Sequence, residues 1–98
     1  FGEIERAIAD RKYDEAAELV DQTLAALPDS GDAHALSGAL LDARGREHAA
    51  YHEYRRALAL DPGLDLARDG IRRYCRRAGL DEHDPHINPA ASFSGRPA

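Results

Sequence analysis

Ninety-eight residues with a formal net charge of −5 allow one small domain. The acidic balance excludes nucleic acid and anionic membrane as default partners, and no apolar run reaches the length of a membrane span. Ala, Leu, Arg, Asp and Glu outnumber aromatic and β-branched residues, which favours helix over strand.

Phe1 to Asp10 reads as a helix, with Ile4, Ala7 and Ile8 at helical spacing. Arg11-Lys12 forms the turn. Tyr13 to Leu27 is the second helix, and Ala16, Val20, Thr23, Leu24 and Leu27 share one face. Pro28-Asp29-Ser30-Gly31-Asp32 stops it and caps the next. Ala33 to Ala43 is the third helix; Leu36, Leu40 and Leu41 supply bulk, and Gly38 permits close approach. Gly45 suits a left-handed cap at its end. Glu47 to Leu60 is the fourth helix, with Ala50, Tyr54, Ala57 and Leu58 facing inward, and Asp61-Pro62-Gly63 breaks it. Leu64 to Ala78 is the fifth, its stripe made of Ala67, Ile71, Tyr74, Cys75 and Ala78, and Gly79 ends it. Residues 81–98 hold Pro85, Pro89, Pro97 and Gly95 and few apolar side chains, so an extended or disordered tail or linker is expected after a helical domain of residues 1–80.

The chain repeats itself at a step of 34 residues. Ala9/Ala43, Ala16/Ala50, Leu24/Leu58, Ala25/Ala59 and Pro28/Pro62 are identical pairs, and Val20/Tyr54 are both large and apolar. Ala33/Ala67 and Gly45/Gly79 continue the echo. A fixed period of this length marks stacked helical hairpins, each too small to bury its apolar face alone.

The second unit reads Gly38, Leu41, Gly45, Ala50, Tyr54, Ala57-Leu58 and Asp61-Pro62. The first offers Tyr13-Asp14-Glu15-Ala16, Val20, Leu24 and Pro28. Together they resemble the tetratricopeptide repeat, over about two and a half units. His34 stands where that family often has Trp, Ser37 where it often has Leu, and Thr23 where a small Ala is usual. The resemblance implies an all-α fold: a right-handed α-α superhelix of five helices, the fifth acting as a cap. It also implies a shallow groove lined by the first helix of each pair.

Charge is unevenly placed. Residues 1–32 carry nine acids and three bases, whereas residues 64–80 carry five Arg and two Asp. By the resemblance, Arg73, Arg76 and Arg77 of the fifth helix point into the groove beside Asp42 and Ala39 of the third and Glu5 and Ile8 of the first. Guanidinium groups capture carboxylates in bidentate fashion, so an acidic peptide is the ligand they suit. Asp69 stands four residues before Arg73 and offers it an ion pair. The dicarboxylate clamp of chaperone-binding members is missing: Phe1, Glu5, Leu36, Leu66 and Gly70 occupy its places.

His48 and His52 have the i,i+4 spacing that can chelate a metal. They stand on the outer face of the fourth helix with no third ligand near in sequence, although His83 and His86 in the tail are within reach. Two solvated imidazoles are the expectation, with no metal and no cofactor. His34 reads as a packing residue. Cys75 is the only cysteine, lies on the apolar stripe and reads as an inert core thiol. No phosphate loop or nucleophile–base pair is present, so no enzyme activity is expected.

The expected function is a non-catalytic protein–protein interaction module, binding a peptide or protein segment in the groove. The alternative is an accessory oligomerisation or domain-positioning module of a larger bacterial enzyme or regulator. Arg-rich basic usage fits GC-rich coding, and the single cysteine fits a cytoplasmic setting. The absence of Met suggests a piece of a longer protein. The tail residues Ile87, Pro89 and Phe93 could dock on the domain or on a neighbour.

Overall fold

A computed structural model of the chain describes residues 1–92; Phe93, Ser94, Gly95 and Pro97 lie outside the described residues. Five helices form: α1 (Gly2–Ala9), α2 (Tyr13–Ala26), α3 (Gly31–Ala43), α4 (Glu47–Leu60) and α5 (Asp65–Ala78). A 3-10 turn follows at Pro89–Ser92. Among the described residues there is no strand, and no helix is long and apolar enough to cross a membrane. The class is all-α.

α3 begins two residues earlier than the apolar pattern suggests. Ser30 is its cap, and the Ser30 Oγ accepts from the Ala33 N–H at 3.2 Å. α3 is also the central element. Ala33, His34, Ala35, Leu36, Gly38 and Leu40 are all buried, so it is covered on several sides. One apolar cluster joins Ile4 and Ala7 of α1, Ala16 and Val20 of α2, and Leu36 and Leu40 of α3. The other joins Ala35 of α3 to Tyr51, Tyr54, Ala57 and Leu58 of α4, Ile71 and Cys75 of α5, and Ala90.

The 34-residue step is present in the backbone itself. α2 and α4 begin and end that far apart, and α3 and α5 begin that far apart. Arg11, Gly45 and Gly79 recur at the same step, and all have positive φ: 59°, 78° and 71°. The residue after each donates to the carbonyl five positions back, from Lys12 to Ala7, from Arg46 to Leu41 and from Leu80 to Cys75, each at 2.8 Å. This closes three helices in one way. Glycine adopts that conformation freely at two of the three; at Arg11 the side chain costs about 1–2 kcal/mol.

Residues 81–92 are not extended, contrary to expectation. Asp81 Oδ1 accepts from His83 N–H and Asp84 Oδ1 from His86 N–H, each at 2.9 Å, and these local bonds coil the segment. Asn88 is buried; it donates to the Glu82 carbonyl at 2.9 Å and accepts from Ala90 N–H at 3.1 Å. The Tyr51 hydroxyl donates to the Ile87 carbonyl at 2.6 Å, and Ala90 is buried in the second cluster. The segment therefore packs back on α4 and α5.

Candidate functional site

α1 packs against α3, and α3 against α5. Glu5 is exposed on α1, Ala39 and Asp42 are half-buried on α3, and Arg73 is exposed on α5. Arg73 Nη2 lies 3.5 Å from Asp42 Oδ2 and bridges α3 and α5. The same carboxylate oxygen accepts from the Tyr54 hydroxyl at 2.9 Å. Asp42 is thus held by a fixed phenol on one side and by a half-exposed guanidinium on the other.

Burial pushes the Tyr54 phenol well above its ordinary value, and the Asp42 hydrogen bond and charge add to the shift. In the unfolded chain this proton leaves near pH 10; in the fold it is retained. The stability from this group is therefore complete below pH 10 and is lost as pH rises above it, by up to about 1.4 kcal/mol per pH unit. Urea midpoints from pH 9 to 11 should fall less steeply in Tyr54→Phe than in the wild type.

The three arginines expected to share a groove do not converge. Arg73 meets Asp42 of α3, Arg77 Nη1 donates to Glu47 Oε1 at the start of α4, and Arg76 Nε donates to Glu82 Oε2 of the returning segment at 3.1 Å. Helical geometry is the cause: Arg76 and Arg77 are successive residues, about 100° apart around α5. Asp69 meets Arg72 at 3.6 Å, not Arg73. Arg76 also belongs to an arginine ladder on α5. Arg68, Arg72 and Arg76 share one face, and with Glu82, His83, Asn88 and Ala90 they line a cavity of about 280 Å³. The spacing was visible as i, i+4 and i+8; the far wall, made by the segment after Leu80, was not.

His34 is a packing residue, as expected. Its Nε2 bonds the Pro28 carbonyl and its Nδ1 the Glu53 carboxylate, both at 2.9 Å, pinning the α2–α3 loop to α4. Cys75 is fully buried, and burial, then Glu82 and Asp81, push its thiol up. His48 and His52 are exposed, and their Nε2 atoms lie 3.1 Å apart. His48 Nδ1 bonds the Tyr74 hydroxyl at 2.9 Å. The Tyr74 ring stacks on Tyr51, with centroids 4.4 Å apart at 15°. No cluster of three or more His, Cys, Asp or Glu side chains placed to hold a metal occurs among the described residues.

No protein-family model, no curated protein and no solved structure matches the chain significantly.

Proposed function

We propose that the chain is a tetratricopeptide-type interaction module, a right-handed stack of helical hairpins that binds an acidic peptide without catalysis. The observation that supports this reading is the backbone repeat, with left-handed residues at 11, 45 and 79 and matching helix ends. Hairpins repeating at a fixed step stack with their first helices side by side and present a continuous surface. Here that surface runs over Glu5, Ala39, Asp42 and Arg73. Arg73 is its basic element, and an acidic segment would compete with Asp42 for it.

The second reading, an accessory module for oligomerisation or domain positioning, is favoured by a different patch. Leu60 and Leu27 are 43% and 50% exposed, and Leu24, Pro28, Ala59 and Leu60, rimmed by Asp29, His34 and Arg56, line a hollow at the ends of α2 and α4.

Nuclear magnetic resonance titration with a glutamate-rich decapeptide tests the first reading. Amide shifts should concentrate at Ala39, Asp42 and Arg73 and vanish in Arg73→Glu. Absence of shifts on α1, α3 and α5 removes the peptide-groove reading. A dimer by light scattering, with shifts confined to Leu24, Ala59 and Leu60 on dilution, establishes the second.

A further inference from the structure

We propose that His48 and His52 form a two-imidazole site for a divalent transition cation of the zinc, nickel and copper class. Residues four apart on a helix can share a ligand, but spacing alone does not aim the rings. Here both rings are aimed. The two Nε2 atoms face each other at 3.1 Å. Metal–imidazole bonds of about 2.0–2.1 Å require a nitrogen–nitrogen span of about 2.9 Å at a right-angled bite and about 3.3 Å at a tetrahedral one. The observed span falls between them, so the two nitrogens already stand at the separation a chelated cation requires.

Tyr74 supplies the second argument. A metal-binding imidazole commonly uses its other nitrogen to hold a partner, which fixes the ring and its tautomer. His48 Nδ1 has this partner in the Tyr74 hydroxyl, at 2.9 Å. With the Nδ1 proton donated to that oxygen, the His48 Nε2 lone pair accepts from His52 Nε2–H at 3.1 Å, and a cation would take the place of that proton, which leaves to solvent or to His52 Nδ1. The Tyr74 hydroxyl is itself positioned by the stack on Tyr51, which is buried and bonded to the Ile87 carbonyl. The exposed pair is thus carried on a rigid aromatic support between α4 and α5. Two imidazoles suit borderline cations, whereas calcium and magnesium demand oxygen ligands. The remaining positions belong to water, with one cation per chain.

Calorimetric titration of the full chain with zinc sulfate and nickel chloride tests the site. Saturable one-to-one binding is expected, with zinc moving the His48 and His52 imidazole resonances. His48→Ala and His52→Ala should each weaken binding at least tenfold. Alanine at exposed helical positions preserves the fold, as circular dichroism can verify. Tyr74→Phe keeps the aromatic stack and should weaken binding about tenfold through loss of the positioning contact. The His83→Ala/His86→Ala variant should bind as the wild type does. No uptake at millimolar zinc, or unchanged uptake by the His48→Ala/His52→Ala double variant, overturns the proposal. Unchanged affinity in Tyr74→Phe overturns the positioning role.

Discussion

Gly70→Ala is expected to destabilise the fold by about 1–3 kcal/mol, although alanine is the better helix former by about 1 kcal/mol. A Cβ at Gly70 would lie 2.3 Å from Tyr54 Cε2, well inside van der Waals contact. The ring has no route of escape. On its other edge a Cβ at Gly38 would lie 2.6 Å from Tyr54 Cε1, so α3 and α5 close on it from both sides. The ring is 1% exposed and its hydroxyl is tied to Asp42. Accommodation therefore requires α5 to move away from α4, which opens the cluster of Ala57, Leu58, Ala67 and Ile71. At about 4–8 °C per kcal/mol for a domain of this size, the melting temperature should fall by several degrees. Gly2→Ala is the control, since nothing lies within 4 Å of its Cβ position. A melting temperature in Gly70→Ala equal to or above the wild type's shows that the ring has room, and removes this clamp from the packing account.

The clamp also separates what the sequence discloses from what it conceals. Gly38 is legible as a place of close approach because it stands among Leu36, Leu40 and Leu41. Gly70 stands between Asp69 and Ile71 with arginines at 68, 72 and 73, and only the tertiary position of Tyr54 gives it a purpose. Helix ends are legible where a Gly marks them, as at Gly45 and Gly79, whereas the start of α3 lies two residues ahead of its apolar pattern, at the Ser30 cap. Arg11 was not legible as a left-handed residue, because its side chain argues against that conformation; only its place 34 residues before Gly45 reveals it. Among the site residues, the Arg73–Asp42 pair follows from adjacent first helices. The directions of Arg76 and Arg77 depend on Glu82 and Glu47, whose positions no local pattern fixes. The His48–His52 spacing is plain in the sequence, but the aim of the rings depends on Tyr74, 26 residues from His48.

The low apolar content after Leu80 predicts an extended or disordered tail. Residues 81–92 are held by polar bonds beside the apolar contacts of Ile87 and Ala90, and Asn88→Ala should show how much depends on those bonds. Asn88 is 5% exposed and uses both ends of its amide, giving to the Glu82 carbonyl and taking from the Ala90 N–H. Truncation leaves a half-buried carbonyl and a buried N–H without their partner, at a cost of about 1–3 kcal/mol. The loss should appear first as local opening rather than global unfolding, because Ile87 and Ala90 meet the domain mainly through the second apolar cluster. Cys75 is the reporter. Its thiol is fully buried and is pushed up by that burial and by Glu82 and Asp81, so the closed form reacts slowly. Opening exposes the sulfur and withdraws both carboxylates, and the two effects act in the same direction. At pH 8, modification by an aromatic disulfide reagent should be about 5- to 150-fold faster in Asn88→Ala than in the wild type, the rate equivalent of 1–3 kcal/mol. Equal rates, with the helical signal unchanged, would mean that the segment does not guard the thiol and that the cover over α5 lies elsewhere.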